Sequence, residues 1–305
     1  MADPESGLGT EAPAEERCYR HPNEVTRVHC TRCGRPICPD CMHPAPVGHH
    51  CPTCVGEARR EARVGPGRRA RVMLGRPGGV TTLLLGAILA MFAVEVVVGG
   101  PQSLMSGPPV QKLIRLGATA PSLIAGGQWW RLITATFLHA GILHLLLNGY
   151  ALYLLGFLVE GVYGKGRFLA IYLITGFLAS VASYQFSGLN TVGVGASGAI
   201  FGLLGTWLAY NFRRRELATA AANLRWVLTI LLINLVLGFS IRGIDNSAHI
   251  GGFLAGILAG TLAEGFGRGP ARRLVQVGGL IALVLLGVVV TMARTAAIHD
   301  MVGLG

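Results

Sequence analysis

The chain has 305 residues, of which 51% are hydrophobic and only 13% charged; soluble domains carry about 25% charged residues, so an ordinary soluble globular fold is excluded. Glycine is abundant, at 44 residues, which suits helices packed closely in lipid. The formal net charge of +11 could point to nucleic acid, but most of the cations sit beside apolar segments, which is the membrane pattern, and no nucleic-acid partner is expected.

Residues 1–17 form an acidic tail rich in Ala, Glu, Pro and Gly, predicted to be disordered. Their polarity does not read as a secretory signal. All seven cysteines follow, between Cys18 and Cys54. An odd number cannot be fully paired as disulfides within one chain, and a reducing compartment is expected. They fall in four pairs: Cys18-x-x-His21, Cys30-x-x-Cys33, Cys38-x-x-Cys41 and Cys51-x-x-Cys54. Two intervening residues let both side chains of one tight turn reach the same metal. Seven thiolates and one imidazole suffice for two tetrahedral sites. Closed, thiolate-rich sites select zinc and leave no open position for catalysis. The expectation is two structural zinc ions in a small module over residues 18–54, where metal supplies most of the folding energy. A redox or disulfide role is the alternative. The spacing leaves open whether neighbouring or alternate pairs share an ion. His29, His43, His49 and His50 are spare ligand candidates whose plainer reading is as ordinary surface residues.

Residues 55–79 read as a basic linker. Beyond it lie seven apolar segments, at roughly 80–98, 142–159, 168–186, 192–210, 225–241, 247–263 and 274–292. Each approaches the ~20 residues needed to span a bilayer. Backbone in lipid must satisfy its own hydrogen bonds, so the segments are predicted to be helices of an all-α membrane protein. Counting from Arg59 onward, sixteen Lys and Arg flank one set of segment ends and five the other. The positive side is cytoplasmic. That places the N-terminus inside, the 99–141 connection outside and the C-terminus outside, in a multi-pass protein expected in the plasma membrane.

Polar groups inside such helices are costly and suggest function. The fourth segment opens Gly193-Val-Gly195-Ala196-Ser197-Gly198. The sixth opens Ala248-His249-Ile-Gly-Gly252, followed by Gly256 and Gly260. The second carries His144 and Asn148, four residues apart and so on one face. A serine hydroxyl is a weak nucleophile that a histidine can activate as general base. His144, Asn148 and the Ser197 amide are donors suited to a developing oxyanion. The glycines would let the fourth and sixth helices approach, bringing Ser197 to His249. Taken singly, each residue has a plainer reading: Ser197 bonded to a carbonyl, His249 packed, Gly252 and Gly256 serving helix contact, and His144 with Asn148 forming an interhelical pair. The chain has no His-Glu-x-x-His for a zinc protease and no aspartate pair within the apolar helices.

In combination these residues resemble the rhomboid proteases, over about residues 80–265. The matching set is Trp130-Arg131, His139, His144-x-x-x-Asn148, Gly156-x-x-x-Glu160, Gly195-x-Ser197-Gly198 and Ala248-His249-x-x-Gly252-x-x-x-Gly256. The resemblance implies a six-helix core, with 266–305 adding a seventh transmembrane helix and an external tail. It implies an intramembrane serine endopeptidase that cuts in or near the transmembrane segments of protein substrates and needs no cofactor for the chemistry. Ser197 would be the nucleophile, His249 the base, and His144, Asn148 and the Ser197 amide the oxyanion hole. Phe201 would pack on the catalytic histidine. His139 reads as structural, Trp130 and Arg131 equally as interfacial anchors, Glu160 as a group holding loops at the inner end, and Glu95 as one reaching the interface. The cysteine cluster resembles B-box and RING-related modules, which often cross-brace. On that resemblance Cys18, His21, Cys38 and Cys41 share one ion, and Cys30, Cys33, Cys51 and Cys54 the other. The module is expected to be regulatory or to bind a cytoplasmic protein partner, and not to be catalytic. Two other classes are a non-catalytic client-binding relative, against which the intact Ser197 and His249 argue, and a transporter, for which inverted repeats and charge-lined broken helices are missing.

Overall fold

The computed structural model describes residues 16–45, 47–63, 79–241, 243–265 and 269–303. The chain divides into two compact units, Met1–Arg71 and Val72–Gly305. Most of the acidic tail and much of the basic linker lie outside the described residues.

The first unit is built of turns, an antiparallel pair of two-residue strands, β1 (His43–Pro44) and β2 (His49–His50), and helix α1 (Pro52–Arg63). Helix α1 runs on through the start of the stretch expected to be linker. The buried apolar side chains among the unit's described residues are six cysteines and Ile37. With so little aliphatic core among the described residues, the cysteine clusters are the main candidates for holding this unit together. Of the remaining histidines, His29 pairs with Glu16, and His43 stands opposite His50 in the strand pair.

The second unit is helical throughout. Helix α2 (Val80–Gly99) is followed by four short helices, α3 (Ser103–Ser106), α4 (Val110–Leu116), α5 (Pro121–Ala125) and α6 (Arg131–Thr134). Then come α7 (Ile142–Tyr163), α8 (Lys165–Phe186), α9 (Ser197–Phe212), α10 (Ala218–Ser240), α11 (Asn246–Glu264) and α12 (Gly269–Met301). All seven predicted helices form. Among the described residues five of them, α2, α7, α8, α10 and α12, are long and apolar enough to cross a membrane. The two that fall short, α9 and α11, carry Ser197 and His249. Every residue of α9 from Gly198 to Trp207 is buried, so this helix meets protein on all sides and can be rich in small residues. Its sixteen residues span only about 24 Å at 1.5 Å per residue, short of the ~30 Å hydrocarbon core.

Glycines let α9 and α11 touch. A β-carbon at Gly252 would collide with the Gly198 carbonyl, and one at Gly256 with the Gly202 carbonyl. Thr206 Oγ1 donates to the carbonyls of both Gly202 in α9 and Gly256 in α11, each at 2.9 Å. The close approach is thus tied by a hydrogen bond as well as by packing.

At the end away from Ser197 the helices are fastened by polar groups. The Glu160 carboxylate accepts the amides of Val80 and Thr81, both at 2.8 Å, and the Thr81 hydroxyl at 2.6 Å. It therefore caps the first turn of α2, satisfying donors that have no helical partner. Gly164, at φ +76°, both ends α7 and starts α8, a left-handed turn that a side chain would strain. Glu264 binds Arg213 at 3.1 Å and Arg214 at 2.7 Å, joining α9 to α11.

At the other end Glu95 departs from expectation. It does not reach an interface: it is fully buried, and its two oxygens lie 3.0 and 3.1 Å from the His139 amide. The reason is local, since a buried backbone N–H needs an acceptor. Arg131 is equally buried and donates to Gln128 Oε1 at 2.8 Å and to the carbonyls of Ile114 at 2.6 Å and Ala118 at 2.9 Å. It pins the short helices together, while the neighbouring Trp130 is half exposed beneath its guanidinium.

The seventh helix is integral to the fold. Tyr184 of α8 and Thr295 of α12 share a 2.9 Å hydrogen bond, His299 lies 3.0 Å from the Ala125 carbonyl, and Ile298 is buried with Ile124 and Leu132. At mid-height Gly287 faces Phe177 and Leu178 so closely that a β-carbon would come within 2.8 Å of Leu178. Gly287→Leu should therefore lower stability by about 1–3 kcal/mol, the usual cost of overpacking, measured by reversible unfolding in mixed micelles. An unchanged midpoint would show that α12 is only loosely attached.

Candidate active site and metal clusters

The site is assembled from three helix starts and one loop. Asp245 caps helix α11: its carboxylate accepts the Ala248 amide at 2.9 Å and the Ser247 hydroxyl at 2.6 Å. This cap fixes the first turn of α11, one residue before His249. Helix α9 begins at Ser197 itself. The loop before it is held by a bridge between Thr119 and Gly193, with amides at 3.0 and 3.1 Å, and by the Gly195 amide on the Ala135 carbonyl at 2.9 Å.

These constraints bring His249 Nε2 to 2.9 Å from Ser197 Oγ. Phe201, one turn further along α9, stacks on the His249 ring with centroids 4.2 Å apart and planes inclined by 8°. The stack fixes the ring plane and keeps water from one face. The other ring nitrogen, Nδ1, is buried and has no hydrogen-bond partner among the described residues. Asp245, the carboxylate nearest in sequence, has one oxygen engaged in the cap. Among the described residues no carboxylate bonds to Nδ1, so the arrangement is a Ser–His pair.

His144 stands across from this pair. The Ala140 amide donates to its Nδ1 at 3.2 Å, so the neutral ring carries its proton on Nε2. That edge of the ring lies against Gly195: a β-carbon there would be 2.9 Å from His144 Nε2 and 3.7 Å from Ser197 Oγ. Gly195 adopts φ +131°, so the position demands glycine for both space and backbone. Asn148 is buried, and its Nδ2 donates to the His144 carbonyl at 3.1 Å, leaving its second N–H. The Ser197 amide is a first-turn N–H of α9 with no acceptor inside the helix. His139 is fully buried behind His144, with ring centroids 5.3 Å apart. Asp245, Thr119 and Arg131 are the supports that sequence reasoning left unassigned or weighed only as anchors; an Asp three residues before Ala248 was a legible capping signal.

In the first unit, Cys18, His21, Cys38 and Cys41 form one group and Cys30, Cys33, Cys51 and Cys54 another, with the ligand atoms of each group within 4.8 Å of one another. These are alternate pairs, a crossed arrangement. His21 Nδ1 lies 3.1 Å from Cys38 Sγ and 3.6 Å from Cys41 Sγ, and Cys33 and Cys51 sulfurs are 3.8 Å apart. A tetrahedron with metal–sulfur bonds of 2.3 Å has edges of about 3.8 Å, so both groups have the donors and spacing to hold a metal ion. Burial, then the Cys18 and Cys38 thiols, push Cys41 up to about 12. Burial, then Cys51, Cys33 and Cys30, do the same to Cys54. Three crowded thiols in one group and four in the other cannot all ionise unaided, and a divalent cation removes that penalty.

Taken together, the molecule is an integral, multi-pass helical membrane protein with a Ser–His pair at the starts of two closely packed helices. Residues 126–265 match the rhomboid domain family model. The chain is 38% identical over 135 residues to the rhomboid relative YdcA of Bacillus subtilis, covering 67% of that protein. It is 41% identical over 213 residues to rhomboid protease GluP of Bacillus subtilis, a match spanning 68% of this chain and 39% of GluP. With RHOMBOID-like protein 5 of Arabidopsis thaliana it shares 39% identity over 168 residues, 52% of each protein. The chain thus spans about half or less of the length of GluP and RHOMBOID-like protein 5. It belongs to the rhomboid family.

Proposed function

We propose that this protein is an intramembrane serine endopeptidase acting on transmembrane proteins, with Ser197 as nucleophile and His249 as general base. The observation that carries the reading is the 2.9 Å contact between His249 Nε2 and Ser197 Oγ at the openings of α9 and α11. Ser197 Oγ attacks the scissile carbonyl carbon while its proton passes to His249 Nε2. The C–N bond then breaks, His249 returns the proton to the leaving amine, and water repeats the sequence on the acyl-serine. The oxyanion would be held by the Ser197 amide, His144 Nε2–H and the Asn148 amide, with the positive end of the α9 dipole behind them. The similarity to GluP, named as a protease, supports the same reading.

Ser197→Ala and His249→Ala should each abolish cleavage of a model transmembrane substrate in proteoliposomes while the helical circular dichroism stays unchanged. Asn148→Ala should slow kcat by about 10²–10³, the usual loss for one oxyanion donor. Cleavage near the wild-type rate in either dyad variant would rule out the assignment.

We propose further that both metal groups hold zinc, that the module is structural or partner-binding, and that it plays no part in the bond cleavage. Closed sets of four protein ligands leave no coordination position for substrate. Elemental analysis of the purified full chain should give two zinc ions per molecule. A strong chelator should unfold the first unit, read as loss of protection from proteolysis between residues 18 and 54, while cleavage by the membrane core continues. One zinc per chain, or none, would overturn the pairing.

For orientation we propose that the end carrying Ser197 faces outside and the first unit lies in the cytoplasm, in the plasma membrane. Support comes from the cations concentrated at the opposite end, among them Lys165, Arg167, Arg213, Arg214, Arg215, Arg272 and Arg273. Reporter fusions at residues 60 and 269 should report inside, and those at 120 and 300 outside; residues 60 and 120 on one side would contradict this topology.

A further inference from the structure

The seventh helix does not close fully against the third. Between α8 and α12, towards the end away from Ser197, lies a groove of about 370 Å³. Its walls are Ala170 and Ile174 on one side and Val277, Ile281 and Val284 on the other, and the one polar residue lining it is Arg167. A dry groove of this kind in a membrane protein is filled by hydrocarbon, because no water would find partners there. A cation, Arg167, stands at its mouth.

Arg167 is exposed, and its Nη1 donates to the Ala263 carbonyl at 3.4 Å. That contact engages one of five guanidinium N–H groups and holds the side chain at the foot of α11. The nearby carboxylate, Glu264, is occupied by Arg213 at 3.1 Å and Arg214 at 2.7 Å. Lys165, Arg272 and Arg273 are exposed at the starts of the same two helices. Gly166, which also lines the groove, would have open space around a β-carbon, so the mouth is unobstructed. A slot lined with aliphatic side chains and opening at a cationic rim complements a molecule with a hydrocarbon tail and an anionic head.

We propose that the groove between α8 and α12 is a binding site for an anionic phospholipid, one acyl chain lying along Ala170, Ile174, Ile281 and Val284 and the phosphate held by Arg167. A guanidinium suits phosphate through paired N–H donors. Bound there, the lipid fills the seam between the core and the seventh helix.

The test uses the full chain in nanodiscs of equal parts phosphatidylglycerol and phosphatidylcholine, followed by native mass spectrometry of the lipids retained after mild release. The wild type should keep one phosphatidylglycerol per chain in preference to phosphatidylcholine. Arg167→Gln should reduce that retention about fivefold, the effect of one interfacial cation. Ile174→Trp, which fills the groove and leaves Arg167 in place, should abolish it. Arg225→Gln, a cation on α10, should leave it unchanged. Equal retention of the two lipids by the wild type would overturn the proposal without any variant, and so would wild-type retention by Ile174→Trp.

Discussion

Everything at the site depends on how closely α9 and α11 approach. Lipid tails are as apolar as leucine, so two helices in a bilayer gain little by burying apolar side chains against each other. What holds these two is backbone contact, with Gly198 against Gly252 and Gly202 against Gly256, and the shared Thr206 hydroxyl. The Ser197–His249 distance is set by this seam, because both residues lie at its open end. A polar pair that short requires that neither helix carry a side chain in between. The longer helices pack around α9, whose residues from Gly198 to Trp207 are all buried, while α11 keeps one exposed apolar face at Ile250, Leu254 and Leu258.

The remaining polar groups serve to keep that seam at the right height. Asp245 starts α11 before His249, and the Thr119–Gly193 bridge with the Gly195–Ala135 bond starts α9 at Ser197. Arg131 and Glu95 in turn fix the connection that supplies Thr119 and Ala135, each by satisfying buried backbone groups that would otherwise be unpaired. At the opposite end Glu160 likewise takes up backbone amides, and Glu264 ties α11 to Arg213 and Arg214 through ion pairs. The charged residues buried in this protein are engaged with backbone or with arginine, as burial of charge demands.

Much of this was legible in the sequence because the signals were chemical and local. Seven apolar runs became seven helices, and the four Cys/His pairs fell into the crossed grouping that the B-box resemblance suggested. The failures have physical causes. The fourth segment was expected from residue 192, but its helix begins at Ser197, because Val192 and Val194 are apolar for another reason: they pack on Leu113, Ala118 and Leu138 of the connection. Hydropathy cannot tell a residue buried in protein from one facing lipid. Glu95 was misread because its partner is the amide of His139, 44 residues away, and a backbone donor leaves no mark in a sequence. The short helices α3 to α6 carry no periodic signal long enough to read, and only their contacts define them.

The central claim is that Ser197 is made nucleophilic by a histidine held through glycine contact between two helices. A fluorophosphonate probe followed by peptide mass spectrometry tests it directly, in the wild type and in Gly252→Val, with helical circular dichroism recorded on both. The account predicts a covalent adduct on Ser197 of the wild type and its loss in folded Gly252→Val, where the valine side chain separates α11 from Gly198. An adduct on another serine, or equal labelling of Ser197 in the two proteins, would contradict it.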